Sequence, residues 1–288
     1  MSINNFIPQV WSAQILTNLH KAQVWGQRGV VNTDYKGEIE KQGSSVRINA
    51  VGKITVKKNV KGTAIGLPDQ LQDASTVLVI DQGDFYNFMI DDVDAAQANV
   101  SVMGAAMDEA GYAVSDVADQ FIAGLVAGAS NLIGTASAPK SDLAPSGGYT
   151  KAYDYLVDLG VLLGASNVPR QGRWVIVPPW YHGLLQKDLR FVAGYSPMQS
   201  DIIQNGVVGK AAGFTVMESN NVLVENTSTY SITAGYPGAI TYADQIVETI
   251  AFRPEQFFAD AVKGLHVYGS KLTRPQGIAV LKAQDPGF

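Results

Sequence analysis

The sequence predicts an α+β protein of at least two lobes that share one long helix, and three observations lead there. An apolar stripe recurs at three- and four-residue steps from about Phe85 to Leu132, the spacing that keeps one side of a helix apolar. Upstream, Val46, Ile48, Ala50, Ile54 and Val56 alternate with Lys and Asn, the two-residue period of a half-exposed strand pair. Downstream of a Ser-, Ala-, Pro- and Gly-rich stretch at 134–150, short helix and strand patterns alternate.

Taken in chain order, residues 9–25 place Val10, Trp11, Ile15, Leu19, Ala22 and Trp25 at helical spacing. This is the pattern of a docking helix whose tryptophans pack on the chain's own core or on a neighbour. Residues 46–71 read as a hairpin with Gly52 in one turn. An isolated two-stranded ribbon is marginal in water, so this one is expected to find cover on an adjacent subunit.

The stripe itself begins with Phe85, Met89 and Val93 and continues through Met103, Met107 and Val114 to Phe121 and Leu125. At 1.5 Å per residue, a continuous helix over that span would reach on the order of 70 Å, about twice the width of a compact domain. It therefore reads as a spine, with Met103 and Met107 buried against a sheet. Gly104, Gly111, Gly124 and Gly128 interrupt it, each weakening a helix by roughly 0.5–1 kcal/mol, and a bend is expected at Gly111. Asp81 or Asp84 is expected to cap its positive end.

Beyond residue 150, Tyr153, Leu156, Val157, Leu159 and Leu163 carry a second amphipathic helix. Residues 173–177 form a buried-strand pattern, which Pro178-Pro179 stops before another helix starts near Trp180. Strands are expected at 214–217, 222–224, 230–233, 265–268 and 277–281, while 239–250 does not declare its type.

Composition narrows the function. The chain has 288 residues, a net charge of −5 and no cysteine, so disulfides, thiolate nucleophiles and thiolate metal ligands are excluded. Its cations are scattered apart from Lys53, Lys57, Lys58 and Lys61, which argues against a broad nucleic-acid-binding face. The start lacks a basic, then apolar, leader pattern, and no uninterrupted apolar run is long enough for a spanning helix, so neither secretion nor a membrane location is expected. His20, His182 and His266 are far apart in sequence and form no HExxH pair. Asp81, Asp84, Asp91, Asp92 and Asp94 would point around a helix rather than converge. Gly147-Gly148 lacks a GKS or GKT tail, and no serine sits in a nucleophile elbow. No catalytic, cofactor-binding or metal site is assigned, and the chain is expected not to be an enzyme. An α/β enzyme using His182 or His266 is the competing reading from another class.

Several segments resemble the coat proteins of tailed phages in sequence and in order. They are Phe6-Ile-Pro-Gln-Val-Trp11-Ser, the run from Val30 to Ile39, Val177-Pro-Pro-Trp-Tyr181, the run from Gly209 to Val216, and the closing run from Phe252 to Gly264. The chain thus resembles major capsid proteins of the HK97-like fold. That resemblance implies an N-terminal arm at 1–35, an extended loop at 40–75, a peripheral domain with the spine helix at 76–144, an axial domain at 145–250, and a return to the peripheral domain at 251–288. It also implies hexamers and pentamers that tile an icosahedral phage head around double-stranded DNA, without sequence-specific recognition and without a cofactor. The implied partners are a separate scaffolding protein, a portal and decoration proteins, with assembly in the host cytoplasm. An encapsulin-like compartment around cargo enzymes is the alternative in the same fold class. Expected inter-subunit contacts are Phe6, Ile7, Trp11 and Trp25 of the arm and Lys57, Lys58 and Lys61 of the loop.

Overall fold

The computed structural model describes residues 24–34, 45–51, 73–91, 102–143, 150–188, 209–226 and 228–286. In chain order these form β1 (Ser45–Val51), β2 (Asp73–Val79), β3 (Gln82–Asp91), α1 (Val102–Gly124), β4 (Asn131–Ile133), α2 (Lys151–Ala165), β5 (Trp174–Val177) and α3 (Pro179–Gln186). There follow β6 (Lys210–Ala211), β7 (Phe214–Glu218), β8 (Val224–Glu225), β9 (Thr229–Gly235), β10 (Ile240–Phe252), β11 (Ala259–Leu272) and β12 (Ile278–Gln284). Among the described residues the strands make a seven-stranded sheet of order β4-β12-β9-β5-β7-β6 with β8 on β9, a three-stranded sheet β10-β11-β3, and a ribbon β1-β2.

The large sheet is covered on both sides, and its sequence shows why. Val175 and Val177 of β5 and Ala279, Leu281 and Ala283 of β12 point to one face, where Leu156, Leu159 and Leu163 of α2 and Tyr181 and Leu184 of α3 close over them. The alternate residues Trp174, Ile176, Ile278 and Val280 point to the other face, into a second core with Ile122, Val126, Tyr242 and Tyr268. Polar ties fix the covering helices. The Tyr181 hydroxyl donates to the Ala152 carbonyl at 2.7 Å, and Asp188 accepts from both the Thr150 amide and hydroxyl at 2.8 Å. The nearly buried Arg173 donates to the Gly160, Val168 and Pro169 carbonyls, anchoring the turn between α2 and β5.

The small sheet is covered differently. Tyr86 and Phe88 of β3 and Val262 of β11 lie under α1, against Met107 and Val114, and Phe121 meets the Tyr268 ring edge-on at 5.5 Å. On the opposite face, Ile48, Leu78 and Ile80 from the foot of the ribbon pack on Ala243 and Val267. That crossing needs Gly269, because a Cβ there would stand 2.5 Å from the Val79 carbonyl oxygen. Lys271 Nζ donates to the Val77 carbonyl at 2.7 Å and ties the ribbon down beside it.

Several expectations are corrected. Residues 85–91 belong to strand β3 rather than to the spine, whose described helix is the 23 residues of α1, about 35 Å long. Phe85 and Met89 are four apart, and four residues return to the same face in a strand as well as in a helix, so their spacing fits both. Asp84, expected as a helix cap, lies within β3 and accepts a 2.7 Å hydrogen bond from the Tyr268 hydroxyl, and Asp81 precedes the same strand. The helix runs through Gly111 without ending and passes into a 3-10 turn at Leu125–Gly128. The hairpin strand β1 pairs with β2, Ser45 opposite Val79 and Val51 opposite Asp73. The expected Gly52 turn and the alternation at 54–56 lie outside the described residues. Strand β10 lies in the small sheet and β12 in the large one. Short apolar strands of similar composition carry no mark of which sheet they join.

Candidate inter-subunit surfaces

The small sheet presents a bare apolar area beyond the foot of the ribbon. Antiparallel register sets Phe85 opposite Leu265, Asn87 opposite Lys263 and Met89 opposite Ala261, with Ile250 and Phe252 of β10 next in line. All of these share the face that α1 does not cover. Phe85 is 77% exposed and Met89 53%. Phe85, Ile250, Leu265 and Lys263 border a shallow pocket of about 230 Å³, and the Lys263 ammonium sits 5.1 Å from the centre of the Phe252 ring. Further along the same sheet, the turn between β10 and β11 exposes Phe257 and Phe258. Side chains of this size left in water are a recognised mark of an association surface.

The root of the N-terminal arm is built in the opposite way. Trp25 is fully buried, as are Val30 and Val31. Its indole Nε1 donates to the Asn221 carbonyl at 2.7 Å, and its ring stands edge-on to Trp174 with centres 5.9 Å apart. Its amide donates to Asp119 Oδ1 of α1 at 2.9 Å, flanked by longer bonds from the Gly26 and Val24 amides. Burial pushes the Asp119 carboxyl above its usual range, against the pull of those donors. Within the subunit Trp25 has no exposed surface and packs in the core shared with Trp174 and Ile122. Phe6, Ile7, Trp11, Lys57, Lys58 and Lys61 lie outside the described residues, as do His20, Gly147 and Gly148.

Among the described residues the two histidines lie apart. His182 Nδ1 lies 2.5 Å from Glu218 Oε2 on the surface of the large sheet. His266 is buried in the small sheet, stacked on Tyr268, with its Nε2 3.8 Å from Asp244 Oδ2. The two histidines thus have separate carboxylate partners. Burial and the hydrogen bond to Asp84 push the Tyr268 hydroxyl pKa far up, which holds it as a donor. Among the described residues no three His, Asp or Glu side chains are placed to hold a metal ion, and no helix is long and apolar enough to cross a membrane.

A long helix over one face of a three-stranded sheet, a ribbon rooted on the other face and a larger mixed sheet beyond define the HK97-like capsid fold. A chain of Mycobacterium phage Che8 shares it at a TM-score of 0.73 with 27% identity, 90% of each chain being covered. The capsid of cyanophage P-SCSP1u shares it at 0.70 with 17% identity, covering 92% of this chain and 89% of that one. A virus-like particle from Pyrococcus furiosus aligns at 0.56 with 12% identity over 96% and 99% of the two chains, a likeness of fold alone. No curated protein sequence matches. The phage capsid protein family model matches residues 73–281, and the chain belongs to that family. It is a structural protein of a phage head shell.

Proposed function

We propose that copies of this chain assemble as hexamers and pentamers into a closed icosahedral head around double-stranded DNA. The observation that carries this reading is the bare face of the small sheet, where Phe85 and Met89 stand in water beside a rooted ribbon. In a chain of the phage capsid family, such a face is matched by the need of a marginal two-stranded ribbon for cover. The ribbon of one subunit lies across the small sheet of the next, and Lys57, Lys58 and Lys61 meet polar or acidic groups there. Those pairs fix register more than they add affinity. Phe6, Ile7 and Trp11 dock on a neighbour and couple burial of the arm to closure of the shell.

In this reading the small sheet with α1 is the peripheral domain and the large sheet the axial domain. On that assignment the chain passes between the two domains near 236–239, and β12 lies on the axial side. Scattered cations and a net charge of −5 suit a shell that encloses DNA without holding each phosphate. Scaffolding, portal and decoration proteins and the host cytoplasm complete the proposed setting. The encapsulin-like alternative is less supported, since the two phage chains align at higher TM-scores than the virus-like particle.

Purified protein imaged by negative stain and sized by sedimentation tests the proposal. Uniform closed particles are expected, and a small soluble oligomer under every assembly condition would sink it. Removal of residues 2–12 should leave the circular dichroism of the subunit intact while lowering the yield of closed shells. Undiminished yields would show the arm to be dispensable.

A further inference from the structure

Eleven described residues at the arm root, 24–34, touch all three parts of the subunit within one short stretch. The amides of Val24, Trp25 and Gly26 converge on Asp119 of the spine helix α1. The Trp25 indole bonds the Asn221 carbonyl and packs on Trp174, both of the large-sheet side. Six residues on, the Asn32 amide donates to the Ile240 carbonyl at 2.8 Å, and the Asn32 carbonyl accepts from the Tyr242 amide at 2.9 Å, which joins the segment to the edge of the small sheet. Val30 and Val31 fill the core between these ends. A second tie, Asn221 Nδ2 to Asp116 Oδ1 at 2.6 Å, holds the same large-sheet loop to the same helix one turn earlier.

Besides the core they share with α1, in which Trp174, Ile176 and Val280 meet Tyr242 and Tyr268, the sheets are joined among the described residues where the chain crosses between them: after α1 through the 3-10 turn to β4, between β9 and β10, and between β11 and β12. The last two crossings lie together, since the Arg274 and Thr273 amides both donate to the Ala239 carbonyl. Two neighbouring crossings make a line about which two packed bodies can turn, in the manner of a hinge. A segment bonded to both bodies and to the helix between them removes that freedom.

We infer that residues 24–34 act as an internal strap that sets the angle between the large and small sheets, and through it the curvature at which subunits close into a shell. The inference rests on the proposed shell-forming function. In a shell of hexamers and pentamers the subunits meet at a small set of local curvatures, so a change in the mean angle within the subunit is repeated at many copies and is read out as particle diameter. The contacts of the strap with Asp119, Asn221, Ile240 and Tyr242 all lie within its own subunit.

Three variants test the strap, each compared with wild-type protein that closes into shells. Asp119→Ala removes the acceptor for the three amides. Trp25→Phe removes the indole donor and part of the ring volume while keeping a smaller ring against Trp174. Asp119→Asn keeps one acceptor oxygen and loses the other. Cryo-electron microscopy should show the single wild-type diameter replaced by a broadened or multiple distribution, with open sheets among the products, while circular dichroism of the subunit is retained. Asp119→Ala can fail to fold; the two conservative variants then decide. Shells of wild-type diameter and spread from both would overturn the strap. Failure of the wild-type chain itself to form shells would instead overturn the assembly proposal, so the two outcomes are distinguishable.

Discussion

The two sheets of this subunit solve the same problem in opposite ways. All four residues of β5 are buried, because α2 and α3 cover one face of the large sheet and the core shared with α1 and the arm root covers the other. The small sheet buries Tyr86, Phe88 and Val262 under α1 but leaves Phe85 and Met89 of the same strand in water. The face of β3 turned away from α1 thus carries Phe85 and Met89 around Asn87, where a solvated sheet face would be mostly polar. Within the subunit the large sheet is covered on both faces, while the small sheet leaves Phe85 and Met89 exposed. Mutations in the first should act on folding, and mutations on the bare face of the second on association.

The largest effect is expected in the large-sheet core. Leu159 is fully buried between α2 and the sheet, and Leu159→Ala should destabilise the subunit by about 2–5 kcal/mol. Urea denaturation of unassembled protein measures it, and a change under ~1 kcal/mol would mean that this core is not closely packed. Phe121→Ala comes next, at about 3 kcal/mol, the lower end for a phenylalanine because the side chain is only partly buried against Tyr268. A loss below about 1 kcal/mol would put the seating of α1 on the small sheet in doubt.

Phe85→Ser sharpens the comparison, because its effect should divide between two measurements. With the ring already 77% exposed, subunit stability should stay within about 0.5 kcal/mol of wild type. Sedimentation should nevertheless show fewer closed shells, since the substitution removes apolar area from the proposed contact. Wild-type shell yield together with wild-type stability would mean that the bare face has no role in association.

How far the sequence foretells this division depends on the element. Residues 173–177 are legible because a continuous apolar run, a double proline and a helix pattern mark both boundaries, and β5 and α3 lie there. The helix on Leu156, Leu159 and Leu163 is legible for the same reason of period. Phe85 to Asp91 is not, since a strand apolar on both faces, followed at once by a helical pattern, fits either period at its Phe85–Met89 step. Exposure of Phe85 is equally hidden, because alternation does not say which face receives α1. Trp25 shows the limit for a contact residue: its burial depends on Asp119, Trp174 and Asn221, all distant in sequence. The phage resemblance pointed to the right family without distinguishing an arm residue that docks on its own subunit from one that reaches a neighbour.

The smallest expected effect concerns the carboxylate that holds the arm root. Burial raises the Asp119 pKa above its unfolded value, and the amides of Trp25, Gly26 and Val24 and the side chain of Asn221 offset this only in part. A carboxyl whose pKa is raised on folding binds more protons in the folded state than in the unfolded chain. Its contribution to stability is fully present below the unfolded pKa and is lost as pH rises through the folded one. Asp119→Asn removes the titration while keeping one acceptor oxygen. The stability of wild type relative to this variant should therefore be greatest in acid and should decline toward neutral pH. Paired urea denaturations across that range, on protein kept unassembled, isolate the slope from the other carboxylates, which both chains share. A relative stability that instead rises with pH would show that the three amides outweigh desolvation, and that Asp119 is seated as a fully stabilised anion.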